Sequence, residues 1–152
     1  VDFPQVERWV EVKANKPTVG SPQLSRTTAS YFCAEPLLQQ EVFGPHALVV
    51  MCANRHELMA CLDTLAGQLT ATIFGTEDEF EKAPEIQLLL REKAGRIILN
   101  GVPTGVEVCD SMHHGGPFPS TTDAHFTAVG VDAIWRFLRP VTIQGGSIGL
   151  AK

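Results

Sequence analysis

The chain has 152 residues, of which 44% are hydrophobic, and this length suits one compact domain with a hydrophobic core. Its 17 acidic residues outnumber its 12 basic ones, and no basic stripe is present, so we expect no nucleic-acid partner. No apolar run approaches the roughly 18 residues that a membrane span needs, and no signal-peptide pattern opens the chain, so we expect no membrane partner and a cytoplasmic protein.

The first third of the chain carries few strong signals. Val6, Trp9 and Val10 are spaced as on one face of a helix, which predicts a short helix that ends at Pro17. Residues 18–32 are rich in Pro, Ser, Thr and Gly, and we interpret them as a loop with an edge strand. The stretch AEPLLQQE, residues 34–41, predicts one or two helical turns.

The middle of the chain alternates between strand-like and helix-like segments. Apolar runs predict strands at ALVVMCA, LTATIFG and RIILNG, beginning at positions 47, 69 and 96. Two amphipathic segments, residues 54–67 and 76–95, predict the helices between them. The order indicates an α/β fold with an open parallel-type sheet. Because the strands are continuously apolar, we expect helices on both faces of this sheet.

Local signals mark the ends of the two predicted helices. Asn54 is a natural N-cap for the first helix, with Glu57 three residues later, and Gly67 is a natural stop. Thr76 is the corresponding cap of the second helical segment. Pro84 interrupts that segment and Gly95 ends it.

Residues 101–130 show no periodicity, and a loop of this length inside a compact domain is more often functional than idle. VDAIWRFLRP, from position 131, predicts a short helix, and VTIQ, from position 141, predicts a terminal strand.

Four cysteines are present without a CxxC pair, and we expect free, packed thiols. Cys109, His113 and His114 lie close together in sequence, but a structural zinc site needs four ligands. The remaining histidines show no ligand spacing, so we expect no metal site. No general base is committed to Cys109, so we interpret it as a packed thiol in a loop and not as a nucleophile.

Three places in the sequence suggest ligand contacts. Glu41 precedes a predicted buried strand in QQEVFGPHALVV, and α/β proteins often bind ligands at strand ends. Gly115 and Gly116, in HHGGPFP, favour either a tight turn or a close approach of backbone to a ligand. Asn100 could orient a substrate or cap the following turn, and His114 could line a pocket or fill one. No GxGxxG dinucleotide motif follows any strand.

QEVFGP before an apolar strand, then LTATIFG, AGRIILNG and a basic-Pro strand, resemble the C-terminal portion of an aldehyde dehydrogenase across residues 18–144. NGVPTGVEVC, HGGPFPSTTD and RFLRPV resemble most closely the α-ketoglutaric semialdehyde (2,5-dioxopentanoate) dehydrogenases. The common family has FGG and a following basic residue where this chain has HGG and Pro117. This departure indicates the subfamily and a different pocket lining.

The resemblance implies roles for particular residues. Glu41 would accept hydrogen bonds from the nicotinamide ribose of NAD or NADP, and Phe43 would pack beside the nicotinamide. The pocket for a small-molecule aldehyde would include residues of the segment 100–117, namely Asn100, His114, Gly115 and Gly116. The residues that would distinguish NAD from NADP lie upstream in the family. Residues 1–138 would belong to the catalytic domain and residues 139–152 to an oligomerisation strand and tail, so we expect a homo-oligomer.

In the resembled family the nucleophilic Cys, the general-base Glu, the oxyanion Asn and the Rossmann domain all precede the motif that contains Glu41. No GQxCT-like stretch precedes Glu41 here, and Cys33 lies too close to it. We therefore expect no catalytic residue in the chain, which would be a fragment that is inactive alone. The alternative is a non-catalytic binding or assembly module that pairs with other subunits through RPVTIQ, residues 139–144.

Overall fold

A computed structural model describes residues 3–13, 16, 18–103, 105 and 107–145. Within these residues the chain forms five strands, four α-helices and two 3₁₀ helices. The strands and α-helices are, in chain order, β1 (Glu7–Glu11), β2 (Gln23–Thr28), α1 (Ala29–Ala34), β3 (His46–Met51), α2 (Arg55–Thr64), β4 (Gln68–Ile73), α3 (Glu77–Glu81), α4 (Pro84–Lys93) and β5 (Ala94–Leu99). The 3₁₀ helices are Pro36–Gln39 and Val131–Phe137.

The described strands form two small sheets. β2 lies between β1 and β3, antiparallel to β1 and parallel to β3. β4 and β5 form a separate parallel pair in which Gln68 lies opposite Ala94 and Ile73 opposite Leu99. The predicted α/β class and the parallel pairing are confirmed. The prediction of one continuous parallel sheet is wrong, because β3 and β4 are not hydrogen-bonded to each other.

The predicted N-terminal helix is wrong. Glu7–Glu11 forms β1, and β2 is the middle strand of its sheet and not an edge. Trp9 and Val10 fit the helical spacing, but aromatic and β-branched residues also favour strands, and pairing with β2 satisfies the backbone. Arg26 of β2 supports the pairing, since its guanidinium bonds Glu7 at 2.7 Å and lies 4.9 Å from the Trp9 ring centre. Pro17, the predicted end of that helix, lies outside the described residues.

The predicted helix starts are confirmed. The Asn54 side chain accepts a hydrogen bond from the backbone N–H of Glu57 at 3.0 Å. Thr76 and Glu79 form a reciprocal capping box at the start of α3. Pro84 separates α3 from α4 and occupies the first turn of α4, where its missing N–H is tolerated.

The predicted helix stops are wrong, and the two glycines have another role. α2 ends at Thr64 and α4 at Lys93, before Gly67 and Gly95 are reached. A Cβ on Gly67 would lie 2.0 Å from the carbonyl oxygen of Pro117, and one on Gly95 would lie 1.8 Å from that of Gly115. Both positions therefore need glycine because another backbone segment crosses them closely.

The core lies where α1 and α2 pack on each other and on β3. Its buried members are Ala29, Phe32 and Cys61, and partly buried apolar residues surround them. α2 also contacts α4, which packs on β5, so the helices connect the two sheets. The predicted burial on both faces is not found, because most residues of β3 and β5 are only half-buried and Leu99 is 51% exposed.

The last third of the chain is irregular, as predicted, with no helix or strand among the described residues from 101 to 130. The predicted terminal helix is a 3₁₀ helix, Val131–Phe137. Residues 139–144 form no strand with the other described residues, so the predicted terminal strand is not found within the described part of the chain. Residues 146–152 of the predicted tail lie outside the described residues. No helix in the described part of the chain has the length and apolar character needed to cross a bilayer.

Candidate functional site

The segment that carries Glu41 is held at both ends by local hydrogen bonds. Glu35 caps the 3₁₀ helix Pro36–Gln39 by accepting from the backbone N–H of Leu37 at 3.2 Å. On the other side, the Pro45 carbonyl accepts from the N–H of Gln23 at 2.9 Å, which connects the segment to β2. Glu41 therefore lies in a short segment that is fixed by hydrogen bonds at Glu35 and at Pro45, before the amino end of β3.

The side chains of Glu41 and Phe43 are both exposed. Among the described residues, none donates a hydrogen bond to the Glu41 carboxylate, and the side chain is exposed. Both oxygens are thus available as acceptors for a ligand with hydroxyl donors. The Phe43 ring, two residues further along the chain, is 97% exposed, which is unusual for a large aromatic side chain.

Glu41 lies between two clefts. One, of about 750 Å³, is bounded by Glu41 and its neighbours, by the amino end of β4 with Gln68, and by Pro119 and Ser120. The other, of about 580 Å³, lies on the side of β2 and β3 and includes Arg8 and His46. The carboxylate can therefore meet a ligand in either cleft.

The segment 113–118 crosses the amino ends of β4 and β5. The N–H of Gly67 donates to the carbonyl of Phe118 at 3.2 Å. Gly115 and Gly116 are buried against the strands, and a Cβ on Gly116 would lie 2.3 Å from the carbonyl oxygen of Gln68. The glycines thus serve a close approach of backbone to backbone, which lets Pro119 and Ser120 reach the cleft of Glu41.

The backbone of His114 is fixed by two hydrogen bonds to the segment 127–128. Its N–H donates to the hydroxyl of Thr127 at 2.9 Å, and its carbonyl accepts from the N–H of Ala128 at 2.9 Å. His114, Gly115 and Gly116 do not line the cleft of about 750 Å³. A pocket role for His114, Gly115 and Gly116 stays a prediction.

Asn100 lies at the opposite end of the sheet. It follows β5, has a left-handed backbone with φ of 51°, and its side-chain amide accepts from the N–H of Gly75 at 2.9 Å and donates to the Gly75 carbonyl at 2.8 Å. This paired contact joins the carboxyl ends of β4 and β5. Asn100 follows Gly95 by five positions, which corresponds to about 17 Å along a strand. The structure therefore does not bring Asn100 together with Gly115 or Glu41, and its substrate role also stays a prediction.

The histidines and cysteines of the described residues do not form a metal-binding site. Among the described residues, no three His, Cys, Asp or Glu side chains are placed to hold a metal ion. Cys109 is exposed and contacts Ser111 at 3.5 Å between sulfur and oxygen, so the prediction that it is packed is wrong. The thiols of Cys33, Cys52 and Cys61 are free, as predicted, and lie in the core.

We compared the sequence of the chain with families and proteins that are already known. No family model matches the chain. The chain is 54% identical over 112 residues to an alpha-ketoglutaric semialdehyde dehydrogenase of Acinetobacter baylyi, a match that covers 74% of this chain and 21% of that protein. It is 51% identical over 116 residues to alpha-ketoglutaric semialdehyde dehydrogenase 2 of Azospirillum brasilense, covering 76% of this chain and 22% of that protein.

The chain resembles a segment of an aldehyde dehydrogenase. It spans only about a fifth of the length of these two dehydrogenases. The resemblance deduced from QEVFGP, NGVPTGVEVC and HGGPFPSTTD is confirmed by these matches.

Some lining residues of the Glu41 cleft escaped the sequence interpretation. Gln68 and Thr70 come from the start of β4, and Ser120 follows the HGGPFP motif. No local pattern marks them, because they meet Glu41 only after the long loop folds back. The only sequence signal was the paired glycine motif, which indicated a close backbone approach without its partner.

Proposed function

We propose that this chain forms part of an NAD(P)-dependent aldehyde dehydrogenase that oxidises α-ketoglutaric semialdehyde to its carboxylate. The observation that carries the proposal is the identity of more than half over about three quarters of the chain to two dehydrogenases of that name. The segment would supply contacts to the cofactor and to the substrate, and other parts of the protein would supply the reacting groups.

The residues around Glu41 suit a nicotinamide ribose. A ribose offers two adjacent hydroxyl donors, and a carboxylate with no donor of its own among the described residues can accept both. The exposed ring of Phe43, two residues after Glu41, offers a flat apolar surface for an aromatic ring. When bound, the nicotinamide accepts the hydride from the substrate. Glu41 would fix the orientation of that ring, and Phe43 would exclude water from one of its sides.

The larger cleft, of about 750 Å³, has polar side chains across from Glu41 that could contact a substrate. Ser120 and Gln68 contribute hydroxyl and amide groups to the wall across from Glu41, and about 750 Å³ is ample for a small keto-aldehyde. The segment 113–118 positions that wall through its backbone contacts with Gly67 and Gly95. In this proposal His114, Gly115 and Gly116 act on the pocket indirectly, through the backbone of the segment that leads to Pro119 and Ser120.

The thiol chemistry would come from elsewhere in the protein. The three core cysteines line neither cleft of Glu41, and Cys109 lies in the loop near Ser111. A thiol nucleophile has to meet the aldehyde carbon beside the cofactor, and none of these thiols is placed to do so. We therefore propose that the chain by itself does not oxidise aldehydes.

The test is aldehyde-dependent formation of NADH or NADPH by the purified 152 residues, with α-ketoglutaric semialdehyde as substrate. We expect no rate above that of a blank without protein. A rate that disappears in a Cys109→Ser variant, or in a variant of one core cysteine, would contradict the proposal by revealing a nucleophile in this chain. The same assay on the longer protein that carries this segment should show activity with this substrate.

A second candidate function is a non-catalytic assembly module, and the exposure of the terminal segment favours it. Val141 is 67% exposed and Ile143 is 50% exposed, and residues 139–144 pair with no strand among the residues that the structure describes. Such an extended segment can add to the sheet of another subunit. Homo-oligomerisation through this segment is compatible with either function. Activity of the longer protein would decide between them.

A further inference from the structure

Three of the four cysteines meet in the core. The sulfur atoms of Cys33, in the last turn of α1, and Cys61, in α2, are 3.6 Å apart. Cys52, just after β3, packs against the same cluster. Cys61 is only 6% exposed, whereas Cys33 and Cys52 are half-buried. The clefts of the candidate site do not include these thiols, so the proposed function gives them no role.

The sulfur atoms of Cys33 and Cys61 are in contact but are further apart than in a disulfide. A disulfide bond is about 2.05 Å long, so sulfur atoms now 3.6 Å apart must approach by about 1.5 Å. The two residues lie on helices that pack directly on each other. The two sulfur atoms therefore approach each other from helices that are already in contact.

We propose that Cys33 and Cys61 are a modification site, at which a hydroperoxide converts the two thiols to an intrachain disulfide that joins α1 to α2. Cys33 reacts first because it is the more exposed of the two. Its sulfur attacks the outer oxygen of the hydroperoxide, the O–O bond breaks, and an alcohol or water leaves, so Cys33 becomes a sulfenic acid. The sulfur of Cys61 then attacks that of Cys33. The hydroxyl group leaves with the proton of Cys61 as water, and the S–S bond forms.

The surroundings of Cys61 support this order of events. Burial, together with the neighbouring thiols of Cys33 and Cys52, raises the pKa of Cys61 to about 12, so it remains a protonated thiol at neutral pH. It also lies 3.8 Å from the carbonyl oxygen of Ala29, to which its S–H donates. Cys61 is thus the less reactive thiol towards an oxidant, and its 3.6 Å contact with Cys33 places it to resolve an oxidised Cys33 when it loses its proton in the second step.

The disulfide would act on the segment that carries Glu41. Cys33 is followed by Glu35, the cap of the 3₁₀ helix Pro36–Gln39, and that helix leads directly to Glu41. A disulfide that fixes the end of α1 to α2 would restrict the movement of the segment from Glu35 to Glu41. The inference itself is independent of the proposed function, since it concerns only the thiols and the helices.

The experiment is peroxide oxidation of the reduced 152-residue chain, followed by alkylation of the remaining thiols and peptide mapping by mass spectrometry. We expect loss of two alkylatable thiols, a mass lower by about 2 Da for the two hydrogen atoms removed, and a linked pair of peptides that contain Cys33 and Cys61. Dithiothreitol should reverse the change. The same treatment in urea should yield a mixture of pairings, because the folded contact is then lost.

Matched serine variants extend the test. Cys33→Ser and Cys61→Ser should each abolish the intrachain link, whereas Cys109→Ser should leave it intact. A dominant link from Cys33 to Cys52, a mainly intermolecular dimer, or accumulation of a higher oxide of Cys33 without any link would each overturn the proposal. Peptide mapping of the unmutated chain gives the answer even where a variant fails to fold.

Discussion

Replacing Gly95 with alanine tests how the segment 113–118 packs on β4 and β5. The added Cβ would lie 1.8 Å from the carbonyl oxygen of Gly115 and 2.8 Å from the Cα of Gly116. Non-bonded carbon–oxygen contacts are about 3.3 Å or longer, so one backbone must move by about 1.5 Å. Overpacking typically costs about 1–3 kcal/mol. Because the obstacle is backbone on both sides, we expect a loss of about 3 kcal/mol, a large fraction of the roughly 5–15 kcal/mol that stabilises a domain.

The assay is equilibrium urea unfolding of the chain, followed by circular dichroism and tryptophan fluorescence, with the free energy of unfolding extrapolated to water. Gly44→Ala is the matched control, because a Cβ there meets nothing within 4 Å. We expect this control to change the free energy of unfolding by less than about 0.5 kcal/mol. A Gly95→Ala variant that loses less than about 1 kcal/mol would refute the close crossing of the two backbones.

Three further changes test other parts of the structure. Asn100→Ala should lower the free energy of unfolding by about 2 kcal/mol, since two hydrogen bonds to Gly75 are lost, and Asn100→Gly, which keeps the left-handed backbone without the amide, should lose a similar amount; an unchanged urea midpoint would contradict the contact. The pKa of Cys61 is raised from 9.0 to about 12 on folding, so its contribution to stability is present below pH 9 and lost as pH rises towards 12; urea unfolding of Cys61→Ala should lack this part of the pH dependence, and identical profiles for both proteins would contradict it. Thr142→Pro should reduce self-association measured by light scattering, because proline removes a backbone donor from the exposed terminal segment, and a clean monomer of the unmutated chain at high concentration would contradict pairing through that segment.

Elements specified by local signals could be predicted from the sequence. The cap at Asn54, the capping box at Thr76 and the interruption at Pro84 each depend on residues a few positions apart, and the structure contains all three. The strands β3, β4 and β5 were likewise marked by apolar runs bounded by polar or glycine residues. These features form from neighbours in sequence, so one sequence is enough to find them.

Features that depend on distant partners could not be predicted in the same way. Trp9 and Val10 fit a helix as well as a strand, and only pairing with β2 decides between the two. Gly67 and Gly95 resemble helix stops, but their neighbours are Pro117 and Gly115, which arrive from the far side of the long loop. β3 and β4 belong to separate sheets, and no local pattern encodes this separation.

The candidate site shows the same division. Glu41 was predicted at the mouth of a strand, and the structure places it before the amino end of β3. Its meeting with Gln68 and Ser120 across one cleft depends on the fold of residues 101–120, where periodicity is absent. The resemblance implied that Asn100 shares a pocket with His114, Gly115 and Gly116, yet the length of β5 carries it to the opposite end of the sheet.

The central claim is that Glu41 accepts hydrogen bonds from the nicotinamide ribose in an aldehyde dehydrogenase. Its most direct test is single-turnover hydride transfer in an active aldehyde dehydrogenase that contains this segment, measured for Glu41→Gln and for Glu92→Gln, a control at an exposed position of α4. A hydrogen bond to a charged group contributes about 1.5–3 kcal/mol, so we expect Glu41→Gln to slow hydride transfer by roughly 10-fold to 100-fold, with aldehyde binding little changed. The Glu92→Gln rate should match that of the unmutated protein. An unchanged hydride-transfer rate in Glu41→Gln would contradict the claim.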